Sequence, residues 1–248
     1  MGKIIAYACC CHVGRKRKEN QDNYLCEGLY RHIDRDTKVY PLTGETSMRK
    51  PSVFGVFDGL GGEQDGEIAS YLASSLAARF SWGRHQEKDL TTLCFKINRA
   101  ICGYVKETGL QSAGTTAAMV SFFGRRMVVC NIGDSRVFHV RDGSIRQISK
   151  DHVDLSSGNA KPPLSQCLGI PEEELQIVPY VARISYKIGD RFLLCSDGIT
   201  DMLSEETILE IVEKKSVKKA ARNLIRCALD AGGRDNATLI LLEIQNCR

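Results

Sequence analysis

Two periods organise the apolar positions of the chain. Residues 4–10 read as a short strand, and residues 24–27 extend a second one after a polar, basic turn. The unbroken run Val53-Phe54-Gly55-Val56-Phe57 reads as a buried strand that stops at Asp58-Gly59. A Gly-rich turn then leads into a helix over 66–80. There Ile68, Leu72, Leu76 and Phe80 recur every four residues, with Ala69 and Ala73 beside them. A second helix over 88–108 carries the stripe Leu90, Leu93, Ile97, Ile101 and Tyr104. Four short strands follow at 115–122, 127–132, 136–141 and 144–147. Phe123-Gly124-Arg125 and Arg141-Asp142-Gly143 are the turns among them.

Other stretches lack a period. Residues 28–52 are polar and rich in turn formers, which predicts a long loop or protruding hairpin, and residues 151–180 are irregular and hold Pro162, Pro163, Pro171 and Pro179. Strands at 182–186 and 191–195 flank the turn Ile188-Gly189-Asp190. Ser204 is placed to cap a helix over 205–214, with Glu205 and Glu206 in its first turn. Ser216 is placed to cap another over 217–230, with Ala221, Leu224, Ile225 and Ala228 facing inward. A strand over 237–244 closes the pattern. Strand runs and helix pairs without βαβ alternation predict an α+β fold with antiparallel sheets.

Composition narrows the class. With 43% hydrophobic and 26% charged residues in 248, the chain is not a disordered one. Its length allows one large domain or two small ones, and a single core of that size buries roughly three quarters of the unfolded surface without disulfide staples. The net charge of +4 and a longest basic run of Arg15-Lys16-Arg17-Lys18 argue against a nucleic-acid partner. No apolar stretch reaches the ~18–20 residues of a membrane span. The N-terminal apolar run precedes its basic residues, the reverse of a secretory signal. Of the 11 cysteines, Cys94, Cys130, Cys195 and Cys227 sit inside apolar runs, as reduced thiols of a cytoplasmic protein do.

The informative residues are acidic and lie at strand ends. Asp22 follows the basic turn, Asp58-Gly59 ends the VFGVF strand, and Asp134 sits between two strands. Asp197-Gly198 ends the FLLCS strand, and Asp235 precedes the last strand. One end of a sheet core is thus able to gather five carboxylates. Such a cluster repels itself unless cations lie within it. Carboxylate oxygens suit hard divalent ions such as Mg²⁺ or Mn²⁺. The glycines after Asp58 and Asp197 permit tight turns and close backbone approach, and the Arg17 guanidinium offers a fork for a phosphate. Taken singly, each Asp is more simply a turn residue, as Asp34, Asp142 and Asp201 are read to be. Cys9-Cys10-Cys11-His12 has no second Cys/His pair at zinc spacing and reads as strand. The five histidines form no Ser/His/Asp pattern, and Gly59-Leu60-Gly61-Gly62 lacks the Lys-Ser/Thr of a nucleotide loop.

In series the motifs are specific. RKENQD at 17–22, VFGVFDGLGG at 53–62, GEIAS at 66–70, AGTTA at 113–117, NIGDSR at 131–136, KDH at 150–152, LLCSDGITDML at 193–203 and GGRDNATLILL at 232–242 stand in one order along nearly the whole chain. The sequence resembles the metal-dependent Ser/Thr protein phosphatases of the 2C type, in their bacterial form. The resemblance implies one catalytic domain over 1–248, an antiparallel β-sandwich flanked by helix pairs, with a binuclear Mn²⁺ or Mg²⁺ centre at one end. By motif, Asp58 looks like the carboxylate bridging both ions and the Gly59 carbonyl like a further ligand. Asp22 matches a carboxylate near one ion, and Asp197 and Asp235 match ligands of the other. Asp134, with Asp197, resembles a third-metal site, and Arg17 resembles the substrate-phosphate binder. The implied reaction is in-line attack on phosphorus by a hydroxide bridging two ions, without a phosphoenzyme. The implied partners are phosphorylated proteins and an opposing Ser/Thr kinase, for a chain expected to be monomeric.

Two departures from the family pattern stand out. Many relatives carry His where this chain has Leu60, and the flap segment at 152–169 is short, while the 28–52 segment is long. Two other readings use the same residues: a catalytically weak regulatory or phosphoprotein-binding domain, and a small-molecule phosphomonoesterase.

Overall fold

The structure is a computed structural model and describes residues 2–32, 41–60, 65–159 and 161–247. The middle of the 28–52 segment, including Asp34, and the end of the Gly-rich turn lie outside those residues. Two antiparallel sheets face each other. The first is ordered β3 (Leu42–Ser47), β1 (Lys3–His12), β12 (Ala237–Asn246), β11 (Arg191–Cys195), β8 (Arg136–Arg141) and β9 (Ser144–Gln147). The second is ordered β10 (Tyr180–Ile184), β7 (Arg126–Ile132), β6 (Ala117–Phe123), β4 (Ser52–Leu60) and β2 (Asp22–Cys26), with β5 (Gly114–Thr115) pairing the end of β4. Helices α1 (Asp65–Arg79) and α2 (Gln86–Thr108) cover the outer face of the second sheet. Helices α3 (Asp197–Thr200), α4 (Glu205–Lys214) and α5 (Val217–Asp230) cover that of the first.

Strand alternation sorts the side chains into three cores. On β12, Leu239 and Leu241 face α5, while Ile240, Leu242 and Ile244 face the opposite sheet. On β4, Val53 and Phe57 face α1 and α2, while Phe54 and Val56 face the layer between the sheets. The next residue of that inner series is Asp58. Cys26 likewise faces the inner layer, and two steps of two back from it lies Asp22. Both carboxylates therefore emerge where the inter-sheet core ends.

Several expectations are corrected. The 28–52 segment holds a sheet strand, β3, paired with β1 over Ile4–Cys9. It alternates half-buried and exposed residues, so its polar outer face hid it. The strand expected at 182–186 lies two residues earlier, at Tyr180–Ile184, where it pairs β7. Helix α1 packs through its small residues: Ala69, Ala73 and Ala77 are fully buried, and Leu72, Leu76 and Phe80 are half-buried at its flank. Large side chains would hold the helix away from β4. Ser204 caps α4 by accepting from Thr207 N at 3.3 Å, but Ser216 makes no such side-chain bond. The cysteines are all free thiols, though Cys227 is only half-buried. Burial drives the Cys10 and Cys195 thiols up to about 12, so they stay protonated and inert. Cys9 and Cys10 face different cores across β1, which excludes a shared zinc site for the CCCH run.

Candidate metal centre

Asp22 and Asp58 are direct partners in the β2–β4 register, so their side chains leave the sheet side by side. Asp22 is fully buried. Its Oδ2 accepts from Ser196 Oγ of the facing sheet at 2.7 Å. Its Oδ1 is buried with no hydrogen-bond partner. Burial lifts the Asp22 carboxyl to about 7, and the charges of Asp197 and Asp235 push the same way. Asp58 is also held well above the usual carboxylate range, first by burial and then by Asp22, Asp197, Asp134 and Asp235. It lies in the field of all four others. Asp134, in the turn between β7 and β8, is raised to about 6 by burial and by Asp197.

The backbone around Asp58 is held from both sides. Its N–H donates to Thr116 Oγ1 at 3.1 Å, and its carbonyl accepts from Thr116 N at 2.8 Å and Thr115 Oγ1 at 2.9 Å. Gly59 N–H donates to the Gln21 carbonyl at 3.1 Å. A Cβ on Gly59 would lie 2.0 Å from the Gly66 carbonyl oxygen, and one on Gly198 would lie 1.9 Å from that of Asn236. Both glycines serve backbone-to-backbone contact. Neither has a positive φ, so it is this close approach and not the backbone conformation that calls for glycine.

The second half of the cluster is built around Asn236. Its amide donates to the carbonyls of Val13 at 2.8 Å and Glu19 at 2.9 Å, and its Oδ1 accepts from Gln21 N at 2.8 Å. This clamp lays the basic turn beside Asp235, where the Arg17 guanidinium meets Oδ2 at 2.8 Å. That hydrogen bond, with the charges of Asp235, Asp58 and Asp197, raises the Arg17 pKa. The Arg17 side chain remains 55% exposed, free to turn toward an incoming anion. Behind Asp22, buried Arg31 donates to the carbonyls of Asp22 and Asn20 and pairs Glu67 at 3.0 Å. Asn236 and Arg31 were missed in the sequence because an amide or guanidinium that acts on distant backbone leaves no local spacing signal.

Asp134, Asp197 and Asp235 line one cavity of about 580 Å³. Asp201, read from sequence as a turn residue, lines it too. Lys161 bridges it to Asp197. The i,i+4 spacing of Asp197 and Asp201 was the available signal. Asp142 keeps its turn role, at φ 49 between β8 and β9. As placed, no three acidic, His or Cys side chains among the described residues converge closely enough to cage an ion. Arg17 and Lys161 instead hold Asp235 and Asp197. The donor set nevertheless fits hard divalent ions: oxygens only, mutually repelling, with one buried carboxylate oxygen unsatisfied.

A family model described as protein phosphatase 2C matches residues 45–234. The chain belongs to the protein phosphatase 2C family. It is 34% identical over 203 residues to the serine/threonine protein phosphatase PstP of Mycobacterium tuberculosis, covering 75% of this chain and 39% of PstP. The chain thus spans about two fifths of that relative's length. It is 28% identical over 254 residues to the serine/threonine phosphatase stp of Listeria monocytogenes, covering 93% of this chain and 92% of stp. The solved catalytic domain of a PstP in complex with two manganese ions superposes with a TM-score of 0.81. That match has 28% identity and covers 98% of this chain and 100% of that one. The α+β sandwich expected of a 2C phosphatase is the fold observed. Among the described residues, no helix is long and apolar enough to cross a membrane.

Proposed function

We propose that this chain, acting as one catalytic domain over residues 1–248, hydrolyses phosphoserine and phosphothreonine on proteins with Mn²⁺ or Mg²⁺. The observation that carries this reading is the opposed Asp22–Asp58 pair with its buried, unpartnered oxygen at the mouth of the inter-sheet core. The names of its relatives and the two manganese ions of the PstP domain support it. Asp58 and the Gly59 carbonyl, with Asp22, would hold one ion. Asp58, Asp197 and Asp235 would hold another, and Asp134 with Asp197 would take a third. When bound, such ions supply Lewis-acid charge at phosphoryl oxygens and lower the pKa of a water.

The chain's own residues do the rest. Asp58 lies in the field of every other carboxylate, as a ligand common to two ions must. The Thr115 and Thr116 bonds fix its backbone, so its position does not depend on substrate. Arg17, exposed and tethered through Asp235, binds the phosphate by exchanging one anion for another. Leu60 follows Asp58 by two residues, on the same side of β4, and brings no proton donor there. The leaving oxygen must then take its proton from water. Phosphoproteins made by an opposing Ser/Thr kinase are the partners of this reading, in the cytoplasm and with the chain as a monomer.

The test is hydrolysis of a phosphothreonine peptide and of p-nitrophenyl phosphate, with Mn²⁺ and with excess chelator, for wild type and Asp58→Asn. Turnover of the peptide should need the ion and be nearly lost in Asp58→Asn. Full activity in chelator would overturn the reading, and turnover of the aryl phosphate alone would restrict it to small molecules.

A further inference from the structure

Lys161 reaches the carboxylate cluster from the irregular segment between β9 and β10. Its ammonium hydrogen-bonds Asp197 Oδ2 and, at 2.8 Å, Asp201 Oδ2. It also lies in the field of Asp134. Asp197 opens α3 and Asp201 caps it four residues later, so both carboxylates project from one side of the same turn.

The lysine is delivered by a stiff stretch of chain. Pro162 follows it and biases its backbone toward extended conformations. Two residues on, Pro163 accepts from Asp154 N at 2.8 Å, Val153 bridges Leu164, and Ser165 N donates to the His152 carbonyl at 2.9 Å. The lysine side chain is 57% exposed, so its place on the cavity wall rests on this backbone anchoring and on its two carboxylate partners. An ammonium is one compact positive charge with three donors and no acceptor. A divalent ion at the same place would draw on the same carboxylate oxygens, and the two positive charges would repel.

We propose that Lys161 is a resident counter-cation on the Asp134–Asp197–Asp201 side of the centre and competes with a divalent ion there. The outermost ion, which would draw on Asp134 and Asp197, is then the last to bind and the first to leave; an ion that shares Asp197 with it feels the lysine less, and one beside Asp22 and Asp58 least. The inference rests on the metal-centre reading above and adds to it a residue that sets how many ions the chain holds.

Counting ions tests it without recourse to activity. Mn²⁺ binding is measured by titration calorimetry and equilibrium dialysis on the full chain, for wild type, Lys161→Met and Lys161→Arg. Each variant is first checked by circular dichroism for a cooperative melt. Lys161→Met should bind its weakest ion about tenfold more tightly or more, the scale of one lost charge–charge contact. Lys161→Arg, which keeps the charge, should stay close to wild type. Equal stoichiometry and affinity in Lys161→Met and wild type would overturn the proposal and leave the metal centre standing. Weaker binding in Lys161→Met would also overturn it. A wild type that binds no Mn²⁺ would overturn the metal centre itself, and this proposal with it.

Discussion

Replacing Asp22 by Asn should stabilise the metal-free protein at high pH far more than at low pH. Asp22 is fully buried, and its carboxyl is raised from 3.8 to about 7, chiefly by burial. The folded state therefore holds a proton that the unfolded chain releases. Its contribution to stability is full below about pH 4 and is lost as pH rises through about 7. Between about pH 5 and about pH 8 the loss amounts to about 2–3 kcal/mol, at about 1.4 kcal/mol per pH unit between the two pKa values. An amide carries no charge and keeps an oxygen for the Ser196 hydroxyl. Its buried NH₂ costs about 1–3 kcal/mol if it finds no acceptor, but that cost is the same at both pH values. The melting temperature of Asp22→Asn minus that of wild type, both in chelator, should thus be about 5–10 °C more positive at about pH 8 than at about pH 5. Taking the difference between variants removes the opposing pH dependence of His139 and His152, whose pKa values burial lowers. Adding Mn²⁺ should reverse the order at high pH, because wild type gains an ion that the variant holds less well. Equal shifts at both pH values in chelator would refute the reasoning and mean that Asp22 ionises freely in the fold.

Arg17→Ala should raise KM for a phosphopeptide more than it lowers kcat, since an exposed guanidinium binds phosphate alike in ground and transition states. Steady-state kinetics that show unchanged KM with collapsed kcat would assign Arg17 to the transition state alone. Leu60→His should raise kcat for phosphoserine peptides toward that for p-nitrophenyl phosphate, because general acid catalysis contributes about 10²–10⁴-fold and matters most for a poor leaving group. The dependence of kcat on leaving-group pKa reads this directly, and equal steepness in both proteins would show that position 60 has no acid role.

The sandwich was legible because most strands announce themselves by period. β9 and β11 fall at their expected bounds, as do α4 and α5. The failures share a cause. β3 is an edge strand whose outward face is polar, so alternation there looks like a loop. α1 is written in small residues on its buried side, and hydropathy counts alanine too low to mark the face that touches the sheet. The acidic residues were legible as a set because each follows or precedes a strand. Which of them touch was not: the Asp22–Asp58 pairing is a matter of register between strands 36 positions apart. Lys161 was hidden for the same reason, since it meets Asp197 and Asp201 only when an irregular segment folds back over α3.

The register also explains why the carboxylates survive in a fold they strain. A β2–β4 slip by one residue would turn Asp22 from the inter-sheet mouth toward α1 and bring Asn23 to the inner face. It would also turn Leu25 and Cys26 to the wrong cores, Leu25 from the helix side and Cys26 from the inter-sheet side. Packing of those two side chains therefore enforces the meeting of two acids that repel each other. The hydrogen bonds from Ser196 Oγ to Asp22 Oδ2 and from Gln21 N to Asn236 Oδ1 then tie the two halves of the cluster together. Cations are what such a frame needs to be stable with its acids ionised. Within the chain itself Arg17, Arg31 and Lys161 meet part of that need. None of the three bonds the Asp22 oxygen left without a partner, which is where an ion has most to contribute.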